Sequence, residues 1–478
     1  MNTPNTPTAS NIANIAIVGG GLAGLAAALT ATDAGAQVTL YERAPRLGGA
    51  TWSFARNGRW YDNGQHVFMR CCTEYMAFLD RVGVADHVTQ QARLTVPVVR
   101  PNKPRAHITR TSAPAPLHLG WTLLRYSPLS LTQRIKAVRT ALALRRLNPQ
   151  DPSLDQLSFG DWLGARGESA RAIAALWDLI CLPTINLRAN EASLALAVKV
   201  FRTGLLDSKD AGDLGWAQVP LSVLHGAAAS QKISQAGGSI ALSTHVEAVG
   251  EGPCVTVGGQ STATDAVVIA VPHDALDGLV PPNTVPHQNK LSELGASPII
   301  NVHFVFDRQV MDVPFAAALD SPVQFVFDRT EPATCQELAS APTTEPTQVV
   351  PTQVVPTQVV AVSQSAAFAE IGDRHSDIIE RYRLALADLF PQVAQAEVLD
   401  AVVTREHTAT FAGRVGAASL RPGPKTAIAG VFLAGAWTNT GWPATMEGAV
   451  RSGNLAAQLA LEHCRAPANV VYAKGCGV

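Results

Sequence analysis

Hydrophobic positions along the chain fall into short, unbroken β-branched runs separated by stretches of helical texture, the pattern of an α/β fold with a buried parallel sheet. Asn14 to Val18 (NIAIV) is the first such run. An Ala/Leu-rich stretch from Leu22 towards Gly35 reads as a helix, and Gln37 to Tyr41 (QVTLY) as the second strand. The same texture returns far downstream. Ser239 to Ala248 and Cys254 to Val257 read as short strands, and Asp265 to Pro272 (DAVVIAVP) as a buried strand ending in a turn. Gly430 to Gly435 (GVFLAG) reads as a strand, with a helix following over Met446 to Leu461. Between these, 90–215 reads mostly helical, whereas 275–415 carries β-rich runs such as Ile299 to Phe306 and Val323 to Phe327.

The pattern predicts a chain that leaves a Rossmann-type nucleotide-binding domain and re-enters it. That domain comprises 1–90, 215–275 and 415–478, interleaved with an α+β substrate domain of 91–214 and 276–414. Pro346 to Val360 is PTQVV three times in tandem. Proline at every fifth position opposes a central strand or helix, so 346–360 is expected to be an inserted surface loop without chemistry.

A length of 478 residues exceeds one ordinary core and agrees with two intimately packed domains. The net charge of −1 argues against a nucleic-acid partner. Seven cysteines occur without a C-x-x-C pair, and no metal site is expected. The polar start of the chain lacks the basic beginning of a signal peptide, and the glycines within Ile12 to Ala31 argue against a membrane span. A cytoplasmic location follows as an expectation, with peripheral contact to the inner face of the cytoplasmic membrane considered below.

The first strand runs directly into Gly19-Gly20-Gly21-Leu22-Ala23-Gly24, which fits G-x-G-x-x-G. Gly19 permits the tight turn, Gly21 lets backbone approach a pyrophosphate, and Gly24 lets helix and strand pack closely. The helix start offers N–H groups and the positive end of a dipole to phosphate. Glu42 ends the second strand, where a carboxylate can accept both ribose hydroxyls. Arg46-Leu47-Gly48-Gly49 follows, and the region resembles the E-x(3)-R-x-G-G signature of FAD-dependent oxidoreductases of the amine oxidase and phytoene desaturase superfamily. The resemblance selects FAD over NAD and implies a GR2-like FAD domain. It adds Leu22, Ala23, Arg43, Arg46, Gly48, Gly49 and Val246 to the cofactor contacts.

Ala434 to Asn454 (AGAWTNTGWPATMEGAVRSGN) resembles the C-terminal FAD-contacting segment of the same superfamily. By that resemblance Gly435, Trp442, Met446 and Glu447 touch the cofactor, and a helix N-terminus faces the flavin. Ala436 stands where many members carry an acid, which leaves that carboxylate's contact without a counterpart.

From His87 to Gln150 there is no Asp or Glu, whereas eleven Lys and Arg fall between Arg93 and Arg146, interleaved with apolar residues such as Leu117, Trp121, Leu124 and Leu131. Two readings stand: an interfacial membrane-docking element over 93–146, or a solvated face balanced by acids from elsewhere in the fold.

More specific motifs are Asp62-Asn63-Gly64-Gln65-His66-Val67, Trp177 to Leu187 (WDLICLPTINL), Val200-Phe201-Arg202 and Gly441 to Ala449 (GWPATMEGA). With them the chain resembles the hydroxysqualene dehydroxylases, also called squalene-associated FAD-dependent desaturases. The resemblance implies reductive removal of an allylic hydroxyl from a polyprenoid, in bacterial squalene and hopanoid synthesis, after prenyl-synthase-like enzymes. Such chemistry needs an acid for the departing hydroxyl while hydride reaches the allylic carbon. His66 is the first candidate, with Asp62 to orient it, and the alternative for His66 is a structural turn residue. Trp437, Trp177 and Phe201 are expected to line the substrate site, with simple packing as the alternative for the tryptophans. Competing functions are a carotenoid-type desaturase, an amine oxidase and a non-catalytic flavin-binding scaffold.

Overall fold

The computed structural model describes residues 12–250, 252–335 and 357–465. The continuous apolar runs become a five-stranded, all-parallel sheet in the spatial order Ser239–Ala241, Gln37–Tyr41, Asn14–Val18, Ala266–Ile269, Val431–Leu433. Ala266–Ile269 and Val431–Leu433 are buried at every position, which is why they read as unbroken hydrophobic runs rather than alternating ones. Helix α1 (Leu22–Asp33) follows the first strand, α2 (Thr73–Val82) lies beyond the second, and the hairpin of α3 (Gly120–Arg125) and α4 (Leu131–Arg145) comes next along the chain. The closing helix α5 (Met446–Arg465) packs along α1. The two helices touch backbone to backbone: a Cβ on Gly453 would meet the Ala23 carbonyl oxygen at 2.0 Å.

The other large layer is a seven-stranded mixed sheet. Its order is Val398–Phe411, Ala296–Phe306, Gln358–Ser365, Phe325–Asp328, Phe315–Ala318, Thr95–Val99, Ala106–Thr109. The stretch after residue 90 thus begins with strands rather than helices. Thr95–Val99 pairs parallel with Phe315–Ala318 and completes this sheet before α3 and α4 begin.

The expectation of a surface insert over 346–360 is corrected at its end. Residues 346–356 lie outside the described residues, but Gln358, Val359 and Val360 of the third PTQVV copy open a central strand of the seven-stranded sheet. Val359 and Val360 oppose Val305 and Phe304, and all four are fully buried. Gln358 uses its amide four times, accepting from the Val310 and Met311 N–H groups and donating to the Met311 carbonyl and Asp328. Proline forbids a central strand only at its own position. The residues after it (QVVAV) are β-branched enough to be buried on both faces, and tandem repetition masks that signal.

Candidate functional site

A cavity of about 1070 Å³ runs between the two sheets. Pockets for one drug-sized ligand run to roughly 300–1,000 Å³, so this space can hold a large cofactor and part of a second molecule. Gly19, Gly21, Leu22, Ala23, Glu42, Arg43, Arg46, Gly48, Gly49, His66, Trp177, Phe201, Val246, Gly435, Trp437, Trp442, Met446 and Glu447 all line it. Gly24 and Asp62 do not.

The nucleotide end is built by backbone. Gly19 turns at φ +106°, and a Cβ there would meet the Ala270 carbonyl oxygen at 2.6 Å. Gly24 lies behind the wall: its Cβ would sit 1.9 Å from the Gly19 carbonyl oxygen, so helix and turn can meet only at a glycine. Gly21 opens towards the cavity, with the Gly49 Cα at 3.7 Å as its one close neighbour. The first turn of α1 has neither a capping side chain nor an acid, which leaves its N–H groups open to an anion. Glu42 accepts the Gly20 N–H at 2.6 Å with Oε2 and the Ala44 N–H at 2.7 Å with Oε1. Each oxygen keeps a further lone pair for a ribose hydroxyl. Arg46 stacks at 3.8 Å over the Trp52 ring and donates to the Gly49 carbonyl, so its guanidinium is held at the second glycine pair.

Two buried polar atoms on the wall near His66, Gln65 Nε2 and Asn301 Oδ1, have no partner among the described residues. A bound group with one acceptor and one donor on its edge would satisfy both. Together with the open helix start, these atoms fit a flavin dinucleotide.

The other end is assembled from side chains of distant segments. Asp62 does not orient His66. Its carboxylate accepts from Ser53 Oγ at 2.6 Å, from the Leu221 N–H and from Arg329 at 2.6 Å, a buried ion pair. His66 Nδ1 lies 3.1 Å from the Gly64 carbonyl. A carbonyl only accepts, so Nδ1 carries the hydrogen and Nε2 is the ring's acceptor. Burial pulls the His66 pKa below 6.5, the Gly64 contact and Asp62 opposing it more weakly. The neutral ring therefore offers a lone pair rather than the proton the sequence suggested. Glu447 is also redirected: its carboxylate, fully buried, accepts the Glu74 and Tyr75 N–H groups at the start of α2 and pairs with Arg451 at 2.6 Å. It holds two helices together.

Trp177 and Phe201 are 5.3 Å apart, centroid to centroid, and both pack against Phe159, forming one aromatic wall of the cavity. Trp437 donates to the Val271 carbonyl at 2.9 Å, fixing its ring beside the glycine turn. Two cations approach the Trp442 ring, Lys199 Nζ at 4.6 Å and Arg451 Cζ at 5.3 Å from its centroid. The start of α5 is already partly satisfied, since Thr445 Oγ1 accepts the Gly448 N–H.

Three residues that sequence reasoning missed complete this end. Buried Arg421 donates to the carbonyls of Ala436, Trp437, Thr438 and Trp442, pinning the whole loop that carries both tryptophans. Glu406 lines the cavity and accepts from Asn63 Nδ2 at 2.9 Å. Lys199 is the half-buried cation over Trp442, its pKa lowered by burial first and by Arg451 second. None sits in a recognisable motif. Each meets its partners across a sequence separation that only the fold closes, except Arg421, which precedes its loop by 15 residues or more.

The model of the flavin containing amine oxidoreductase family matches residues 22–461. Over 476 residues the chain is 26% identical to the chloroplastic/chromoplastic 15-cis-phytoene desaturase of Narcissus pseudonarcissus, covering 95% of this chain and 80% of the desaturase. It is equally 26% identical to the hydroxysqualene dehydroxylase of Rhodopseudomonas palustris, over 94% of this chain and 99% of that one. A putrescine oxidase variant superimposes with a TM-score of 0.70 at 18% identity, covering 94% of this chain and 99% of the oxidase, and shares the fold. FAD is the cofactor, held by a Rossmann-type domain.

Proposed function

We propose that this chain, which belongs to the flavin containing amine oxidoreductase family, removes the hydroxyl of hydroxysqualene to give squalene. One observation carries the reading: the glycine-lined nucleotide end and the apolar wall of Trp177, Phe201, Leu176 and Leu123 belong to one continuous cavity, so a long apolar chain can lie beside the cofactor. The D-N-G-Q-H and G-W-P-A-T-M-E-G-A motifs, and the Rhodopseudomonas relative matched over 99% of its length, support the substrate. The substrate would come from prenyl-synthase-like enzymes of squalene and hopanoid synthesis.

Bound FAD supplies the hydride chemistry. The chain's own task is to exclude water, hold the allylic carbon and deliver a proton to the departing hydroxyl. Lys199 is the better donor, since its ammonium carries a proton and its lowered pKa eases release. The Trp442 face beside it can steady positive charge on carbon. His66, neutral with Nε2 as acceptor, orients the hydroxyl.

That same histidine favours the second reading, carotenoid-type desaturation, in which a base removes a proton from an apolar chain. The experiment is anaerobic incubation of the flavoprotein with hydroxysqualene and reduced FAD, with extracted products weighed by mass spectrometry. Squalene made by the parent protein and lost in Lys199→Met, with flavin retained, is the expected result. No squalene, but desaturation of phytoene under oxidising conditions, would replace the assignment with the second reading.

A further inference from the structure

Two adjacent thiols stand in the cavity wall with no part in the chemistry above. Cys71 and Cys72 form the turn between the strand Val67–Met69 and α2, and both line the cavity, as do Lys199, Trp442 and Glu447. Cys71 is partly buried and Cys72 buried, and both are free thiols. Their sulfurs are hydrogen-bonded to each other. The Cys72 thiol donates, and this holds the Cys71 thiol below its ordinary value. Burial and Glu447 oppose the effect, while Lys199 adds to it more weakly. Cys72 keeps its proton, pushed up first by that hydrogen bond and then by burial. Burial likewise raises the Cys181 and Cys464 thiols. A readily ionised thiol facing a cavity, with a protonated thiol at its side, is the arrangement of a peroxide-reactive cysteine and its resolving partner.

We propose that Cys71 and Cys72 are a reversible redox site, in which hydrogen peroxide formed at the flavin closes a disulfide between them and reshapes the cavity wall beside the cofactor. The site requires the flavin but not the polyprenoid reading.

The oxidant arises in the same space. Oxygen that reaches reduced flavin in place of substrate takes two electrons and two protons from it and becomes hydrogen peroxide. The Cys71 thiolate attacks one peroxide oxygen and the O–O bond breaks. Sulfur becomes a sulfenic acid, and the other oxygen takes up a proton and leaves as water. The Cys72 sulfur then attacks the sulfenic sulfur. An S–S bond forms, and the departing hydroxyl leaves with the Cys72 proton as a second water. Two electrons have passed from the thiol pair to peroxide, and an external dithiol restores the pair by thiol–disulfide exchange.

Closure has a mechanical consequence. Neighbouring Cα atoms lie about 3.8 Å apart across a trans peptide, closer than the roughly 4.4–6.8 Å of ordinary disulfides, so the ring must bend its own backbone. That backbone is anchored, since the Cys71 N–H donates to the Ala211 carbonyl and the Cys72 N–H to that of Met69. The distortion therefore passes to the start of α2, where the Glu74 and Tyr75 N–H groups meet Glu447. A strained disulfide is also easily reduced, which suits a switch rather than a permanent staple.

The test starts from FAD-loaded protein treated with dithiothreitol, desalted, and photoreduced without oxygen. Air-saturated buffer containing catalase is then admitted, free thiols are blocked with iodoacetamide, and the protein is digested with trypsin. The peptide Cys71–Arg81 carries both cysteines and no other. In the parent protein it should lose two hydrogens and all alkylation, because bulk catalase does not reach peroxide made inside the cavity. The absorbance band of the reoxidised flavin should shift, and dithiothreitol should reverse both changes. Cys71→Ser should keep its flavin, show no shift and leave Cys72 alkylated, whereas Cys72→Ser should yield a Cys71 sulfenic acid that dimedone labels. Full alkylation of both cysteines in the parent overturns the proposal without recourse to any variant. A disulfide joining Cys71 to another cysteine overturns the pairing, and closure that leaves the flavin band unmoved overturns the switch.

Discussion

The two ends of the cavity are built on opposite rules. At the nucleotide end the work is done by missing atoms: Gly19, Gly24 and Gly453 stand where a single added carbon would strike backbone. At the far end it is done by side chains present, each tied to several partners: Asp62 to Arg329, Asn63 to Glu406, and Arg421 to four carbonyls. The first end should fail when something is added and the second when something is taken away.

The largest effect is expected where addition is worst. Gly24→Val forces a Cβ into the Gly19 carbonyl and should cost more than about 4 kcal/mol, giving protein without yellow colour after purification. A folded, flavin-loaded variant would break the contrast. Removal at the other end comes next. Arg329→Met leaves the Asp62 carboxylate buried without its cation, a loss of about 3–5 kcal/mol in urea unfolding. The double variant with Asp62→Asn should recover part of it, which separates the lost pair from lost packing. Arg421→Met should leave the flavin bound but lower turnover about a hundredfold, since it frees the loop carrying Trp437 and Trp442 by the ångström that catalysis does not tolerate. Equal loss of flavin and turnover would assign Arg421 to the nucleotide end instead.

The smallest effect concerns pH. Burial drives His225 to about 3 and His303 to about 4, from an ordinary value of 6.5. The unfolded chain thus takes up protons that the folded one refuses. Stability is complete above the ordinary histidine value and falls as pH drops towards the folded values, by about 2 kcal/mol per histidine between about pH 7 and about pH 5. His303→Asn should flatten the slope of melting temperature against pH, and an unchanged slope would remove that histidine from the account.

The same contrast explains what could be read in the sequence. Strand, glycine turn, helix, strand and Glu42 lie within 29 residues, Asn14 to Glu42, and their chemistry is local, so fold class and cofactor were legible. At the far end the sequence named residues on the cavity wall, His66, Trp177, Phe201 and Trp442. It could not assign their partners: Asp62 lies four residues from His66 in sequence, but its charge belongs to Arg329, 267 positions away. Glu447 reads as a flavin contact by its motif, yet its oxygens face the start of α2. The third PTQVV copy failed for another reason. Proline opposes a central strand only at its own position, and the residues behind it form the strand that pairs with Phe304 and Val305.

That strand has a consequence for how the gene can change. Every PTQVV unit ends in the same Gln-Val-Val, and whichever unit stands before Ala361 supplies the strand's opening residues. Loss or gain of a whole unit during replication leaves Gln-Val-Val in register against Phe304, so variation in repeat number is silent to the sheet. A one-residue slip inside the strand itself would instead turn its buried side chains to the opposite face.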